Sequence, residues 1–307
     1  MIKKLGFFDI FSVLKSDMPD FSVTRPDHIG KPLKFMDRLL IFLNLFRYNP
    51  RLITFISKNN NSINGFISLY RINNTKYWHI NHLLLDKLDF NLLKQIFDSA
   101  TLYIAQQRFY GILLKIPNNW QLINSAISAE FKIATQNIIL TLGGQYSIYK
   151  PSSSYLLKVN NSKYKSDLFQ LHENTFDFFV KKNLTYYDEE LVQLCSMVDV
   201  LAKEWIYLEG DNLLGSLSKI DYRKTCSVSI NILSKYINKL PEFIFHIYQI
   251  AKRKQLYWIV RTEDKDLLDN LQSIGLINQV SFYTLVYQSQ TKIFSKKTSS
   301  ISVAIEA

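Results

Sequence analysis

The chain has 307 residues, 47% apolar and 14% aromatic, with 37 Lys and Arg against 26 Asp and Glu for a net charge of +11. That length suits two domains of roughly 100–200 residues each, and that apolar share fills two cores, which excludes a disordered or low-complexity chain. The longest apolar run, LLIFLNLF at 39–46, has eight residues including an asparagine, against roughly 20 for a membrane-spanning helix, so no transmembrane segment is expected.

The N-terminal MIKKLGFFDIFSVLKSDMPD begins like a secretion signal, but Asp9 interrupts its apolar part and no small-x-small cleavage site follows. Cys195 and Cys226 are the only cysteines, without a C-x-x-C or a histidine at metal-ligand spacing, so neither a disulfide framework nor a zinc site is expected. A reducing compartment follows, cytoplasm or organelle stroma. His79 and His82 stand three apart; in a regular strand that spacing sends them to opposite faces, where they cannot share a metal.

In chain order, LKFMDRLLIFLNLF (33–46) is spaced like an amphipathic helix, and RLITFIS (51–57), a turn at NNNS and GFISLYRI (65–72) predict a hairpin. YWHINHLLLD (77–86) alternates and then turns wholly apolar at Leu83 to Leu85, as a central strand buried on both faces would. FNLLKQIFDSATLYIAQQ (90–107) places Leu92, Leu93, Ile96, Ala100, Tyr103 and Ile104 on one helical face, and YGILLKI (110–116) returns as a strand, completing a βαβ unit. NWQLINSAISA (119–129) predicts a short helix and FKIATQNIILTL (131–142) a closing strand or hairpin.

The second half repeats this order. SYLLKVN (154–160) predicts a strand, KSDLFQLHENTFDFFV (165–180) and the acidic YDEELVQLCSMVDVL (187–201) helices, and EWIYLE (204–209) with NLLGSLSKI (212–220) a hairpin around Gly210 and Asp211. CSVSINIL (226–233) is the central strand, LPEFIFHIYQIAKRK (240–254) the crossover helix, YWIVRT (257–262) its parallel partner, DKDLLDNLQSI (264–274) a short helix ended by Gly275, and VSFYTLVYQ (280–288) the last strand. The Gly-, Ser- and Pro-rich GGQYSIYKPSSS (143–154) separates the copies. The expected domains are therefore 1–146 and 147–294, with 295–307 a loose tail.

Charge is unequal between the copies: residues 1–150 hold 18 Lys and Arg against 9 Asp and Glu, the remainder 19 against 17. A basic half attracts nucleic acid, anionic lipid headgroups or a phosphorylated cofactor; a codon bias toward Lys, Asn and Ile is the simpler explanation of the same count. The run Lys252, Arg253 and Lys254 sits where cations meet the C-terminus of the crossover helix.

The duplicated order of hairpin, central strand, helix, parallel strand, short helix and last strand, with Gly65 and Gly215 in the third strands, HLLLD and SINIL in the fourth, LLKIPNN and IVRTED at the fifth, and Gly275-Leu276 near the end, resembles the GNAT superfamily of N-acetyltransferases in tandem. The resemblance spans 1–142 and 154–290 and implies an α/β (α+β) fold of two GNAT-like domains, each a mostly antiparallel mixed sheet with a central parallel βαβ unit. It also implies that strands four and five part, and that acetyl-CoA or another acyl-CoA lies between them. Its pantetheine arm would bond to strand-four backbone at Leu84 and Leu85 or at Leu233, and its pyrophosphate would meet the start of the crossover helix near Asp86 and Lys87 or near Ser234, Lys235 and Lys239. The family's glycine-bearing pyrophosphate loop is replaced by DKLDFNLLKQ (86–95) and SKYINKLPEF (234–243), without a glycine in either. The position of its tyrosine acid holds Ala126 and Leu271, so no catalytic residue is assigned; Tyr70, Tyr77, Tyr103 and Tyr110 are acids by chemistry alone.

Two functions are expected from this pattern. One is transfer of an acetyl or acyl group from CoA to a small amine or protein amine through a divergent cofactor site; the other is a non-catalytic GNAT-fold subunit that binds or scaffolds a protein partner. A nucleic-acid or anionic-surface binder ranks third, for want of an RNA-binding aromatic pair, a helix-turn-helix or a zinc module.

Overall fold

The computed structural model describes residues 2–6, 9–23, 26, 29–32, 39, 52–59, 62–71, 75–142, 154–158, 164–174, 191, 195, 202–222, 224–252 and 254–289. Apart from single positions, the stretches expected as helices at 33–46, 175–180 and 187–201, the joint at 143–153 and the tail from 295 lie outside these residues, as does Arg253. Contacts divide the chain into two compact units, one of residues 1–133 with 283–307, the other of 134–282.

The first unit contains β1 (Ile2–Lys4), α1 (Asp9–Lys15), β2 (Leu52–Asn59), β3 (Ser62–Arg71), β4 (Tyr77–Leu85), α2 (Phe90–Gln106), β5 (Gly111–Pro117) and α3 (Trp120–Ser128). The second contains most of β6 (Lys132–Leu142), then β7 (Ser154–Lys158), α4 (Lys165–Asn174), β8 (Lys203–Glu209), β9 (Asn212–Asp221), β10 (Thr225–Ile232), a 3-10 turn (Ser234–Lys239), α5 (Leu240–Ala251), β11 (Gln255–Arg261) and α6 (Lys265–Ser273). Strand β12 (Leu276–Gln288) begins in the second unit and ends in the first.

Local chemistry sets the helix ends. The Asp89 carboxylate accepts from Leu92 N–H at 2.8 Å to start α2, Asn119 accepts from Gln121 and Leu122 N–H to start α3, and Asp264 accepts from Leu267 N–H to start α6. Pro241 lies in the first turn of α5, where its missing N–H costs nothing. Lys252, left-handed at φ 50°, closes that helix after Ala251, short of the 254 expected from sequence. Gly275, at φ 94°, ends α6 in a conformation that L side chains avoid.

Each unit has a mixed sheet with one parallel contact. In the first the strand order is β1-β2-β3-β4-β5 and then the end of β12; in the second the start of β12 is followed by β6-β11-β10-β9-β8-β7. Only β4 with β5 and β10 with β11 run parallel among the registers described. Helix α2 covers one face through Leu92, Leu93, Ile96, Phe97, Ala100 and Ile104, all part of one buried apolar cluster. Helix α5 does the same in the second unit with Leu240, Phe243, Ile244, Ile247 and Ala251, and Phe243 stacks on Tyr207 at 4.4 Å.

The compact units differ from the consecutive stretches 1–146 and 147–294, because the closing strand of each half pairs with the other. Strand β6 runs antiparallel to β11, from Trp258↔Leu140 to Arg261↔Asn137. At the far end of β12, Ser289 N–H donates to the Tyr110 carbonyl at 2.8 Å. Gly111 fits there because a Cβ at that position would collide with the carbonyl of Tyr287. Among the described residues no helix is long and apolar enough to cross a membrane.

Candidate functional site

Both parallel pairs stop early. Strands β4 and β5 are in register only at Tyr77↔Gly111, Trp78↔Ile112 and His79↔Leu113, and β10 with β11 from Thr225↔Gln255 to Ser229↔Ile259. Beyond those positions no strand among the described residues lies beside the inner edges of residues 80–85 and 230–232, and the N–H and C=O groups on such an edge require other partners.

In the first unit the chain itself supplies them. Asp20 forms an isolated antiparallel bridge with Leu84. Phe21 N–H donates to the Leu83 carbonyl at 2.8 Å, Leu85 N–H to the Pro19 carbonyl at 3.3 Å, and Val23 N–H to the Lys115 carbonyl of β5 at 2.9 Å. The Asp20 carboxylate accepts from Leu83 N–H at 3.1 Å and Ser22 N–H at 2.9 Å, and lies 2.7 Å from His82 Nδ1. Ser22 Oγ donates to the Asn81 carbonyl at 2.9 Å. Asp20, Ser22 and Val23 are buried.

In the second unit the gap between β10 and β11 is lined differently. Among the described residues no loop segment is bonded to the backbone of Ile230 or Ile232. On the face opposite α5, register aligns Ser216 with Asn231 and Arg261 with Asn137. The Arg261 guanidinium donates to Asn231 Oδ1, and the Asn231 amide lies 3.5 Å from both Ser216 Oγ and His172 Nδ1. His172 comes from α4, and its Nε2 is 2.8 Å from Glu204 Oε1 of β8. All five are buried or nearly so. With Glu204 ionised, its oxygen holds the imidazole proton on Nε2, which turns the Nδ1 lone pair toward Asn231. A buried acid, a histidine, an amide and a guanidinium thus meet beside the point where the strands part.

The residues expected from sequence fall at the two strand ends. Leu84 and Leu85 are buried at the end of β4, while Asp86 and Lys87 are exposed just after it. Asp86 lines a shallow cavity of about 400 Å³ with Lys15, Ser16, Asp17 and Ser62, and Asp89 rather than Asp86 caps α2. Leu233 precedes the 3-10 turn, whose Ser234 and Lys235 are exposed. Lys235 Nζ lies 4.7 Å from the Tyr236 ring centre. Lys239 donates to Glu209 Oε1 at 2.7 Å, with Glu242 at 3.8 Å, and the hydrogen bond to Glu209 raises its pKa.

One expectation is corrected. The β3–β4 register slips between Ser68 and Leu69, so that Leu69 faces Ile80 and Ser68 faces His82. That bulge at Asn81 flips the alternation. Ile80 and Leu83 both join the core under α2, and His79 and His82 share the opposite face. His82 is held by Asp20; His79 is buried with neither ring nitrogen bonded, and burial, with Lys115 and His82 nearby, lowers its pKa to about 3. Among the described residues no three His, Cys, Asp or Glu side chains are grouped to hold a metal.

Of the tyrosines, Tyr77 is fully buried, Tyr110 accepts from Lys76 Nζ at 2.6 Å, and burial raises the pKa of Tyr103. Burial likewise pushes the Cys226 thiol up to about 12, which makes it a packing residue rather than a nucleophile.

No family model and no curated protein matches the sequence. Solved structures do match the fold. A candidate acetyltransferase from Pyrococcus horikoshii superposes with a TM-score of 0.55 at 12% identity, over 94% of this chain and 89% of that one. A GCN5-related N-acetyltransferase from Sphaerobacter thermophilus gives 0.54 at 7% identity, over 94% and 95%. A tandem GNAT protein from the clavulanic acid biosynthesis pathway gives 0.50 at 8%, over 94% and 98%. At these identities the likeness is one of fold: the chain has a GNAT-like α/β fold in a two-domain arrangement.

Proposed function

We propose that the protein is an N-acyltransferase that moves an acetyl or related acyl group from acyl-CoA to an amine. The observation that carries this reading is the parallel pair that parts in mid-sheet, since an unpaired strand edge suits an extended, amide-bearing arm. In this reading such an arm bonds to backbone at Ile230 and Ile232; of the residues expected from sequence, Leu233 has its N–H on the Leu214 carbonyl and its carbonyl on Tyr236 N–H, and Leu85 N–H is held by the Pro19 carbonyl. The pyrophosphate meets the start of the following helix, near Asp86 and Lys87 or near Ser234, Lys235 and Lys239. Without glycines in either loop, lysine charges rather than closely approaching amides hold it. The amine nitrogen attacks the thioester carbonyl, the carbon–sulfur bond breaks with its electron pair leaving on the CoA sulfur, the amine proton passes to a base, and the thiolate takes a proton from solvent to leave as free CoA thiol. Cytoplasm or organelle stroma remains the proposed location.

The second reading is a non-catalytic GNAT-fold subunit that binds a protein partner. The two glycine-free loops favour it. Acetyl-CoA at millimolar concentration separates the two. The enzyme reading expects a saturable rise in melting temperature, worth about 2.7 kcal/mol at a hundredfold excess over Kd, together with amine-dependent release of free thiol. An unmoved melting temperature with no thiol released leaves the non-catalytic reading.

A further inference from the structure

We propose that Pro19–Val23 is a built-in occupant of the first gap, so that the chain takes one extended acyl-thioester ligand, in the 134–282 unit, and none in the other. The choice of ligand rests on the acyltransferase reading; the occupancy does not. Where β4 leaves β5, Leu83 and Leu85 turn backbone groups into the gap. The Leu83 carbonyl is taken by Phe21 N–H, Leu83 N–H by the Asp20 carboxylate and Leu85 N–H by the Pro19 carbonyl. Val23 ties the far side of the gap at Lys115.

A ligand arm that bonds to β4 backbone needs these same groups, so it must first displace the segment. Displacement is costly because Asp20 serves three partners at once, Leu83 N–H, Ser22 N–H and His82, while itself buried. The segment is also backed from behind: Asp20 N–H donates to the Lys31 carbonyl, Gly30 N–H to the Asp20 carbonyl, and Pro19 bridges Pro32. No comparable segment among the described residues lies on Ile230 or Ile232.

Amide hydrogen exchange on the full chain, with and without saturating acetyl-CoA, tests this. The Phe21, Leu83 and Leu85 amides are expected to be protected in the ligand-free protein and unchanged by acetyl-CoA, while the Ile232 amide gains protection. Asp20→Ala is expected to speed exchange at Leu83 and Leu85 about tenfold or more; Ser22→Ala, which removes the bond to the Asn81 carbonyl and keeps the Asp20 carboxylate, gives a milder form of the same effect should the first variant fold poorly. Leu83 and Leu85 amides that exchange freely without ligand and become protected on adding acetyl-CoA would overturn the proposal. No response to acetyl-CoA anywhere, with Leu83 and Leu85 protected throughout, supports the occupant and defeats the acyl-CoA reading alone.

Discussion

His79 has neither ring nitrogen hydrogen-bonded and a pKa lowered to about 3, chiefly by burial. The native state therefore refuses a proton that the unfolded chain accepts near pH 6.5. Its contribution to stability is full above that pH and is lost as the pH falls toward 3. His79→Leu is expected to flatten the fall of melting temperature over this window without lowering it at pH 7; an unchanged slope would refute the assignment. Asp9 behaves alike in a lower window: burial alone would raise its pKa, but Lys58, the Gly6 N–H and Lys3 bring it to about 2, so its stabilisation is lost from about pH 4 downward. The sequence displayed Asp9 only as an interruption in an apolar stretch. Leu84 and Leu85 were legible from the LLL run. The meeting of His172, Glu204, Asn231 and Arg261 was not, because it depends on strand register across four elements distant in sequence. The shared face of His79 and His82 was hidden for a like reason, since one bulge residue reverses the alternation that the reading assumed.

At the scale of elements, the long periodic ones were plain. Helix α2 was expected at 90–107 and spans Phe90–Gln106, and β4 was expected at 77–86 and spans Tyr77–Leu85. Their patterns follow the burial of one helical stripe and of both strand faces, which sequence periodicity encodes directly. Leu93→Ala, which empties a fully buried site under α2, is expected to cost about 2–5 kcal/mol in denaturant unfolding; a loss below about 1 kcal/mol would mean the helix is not docked as described. The short helices α3 and α6 were legible from their caps and apolar spacing, while the shortest pieces were not. Helix α1 is a seven-residue piece whose Ile10 and Val13 pack with Ile56, Phe66 and Leu84, and such a helix has too few turns to show a period. Pro19–Val23 leaves no mark in the sequence because an isolated bridge carries no pattern at all.

For the whole molecule, the duplicated order of elements was readable, while the exchange of closing strands was not, because strand partners are chosen by tertiary packing. Polypeptides cut between residues 146 and 147 separate β6 from β11 and the end of β12 from β5. Each piece is expected to be unfolded alone by circular dichroism and to regain a cooperative transition when the two are mixed; two independent transitions in the separated pieces would contradict the exchange. Both gaps sit at matching places in the duplicated order, yet the chain fills one and leaves the backbone of the other unclaimed by any described loop. Isothermal titration of the intact chain with acetyl-CoA puts that asymmetry to the test. A stoichiometry of one per chain is the predicted result, and two sites of similar affinity, or no binding at all, would contradict the account.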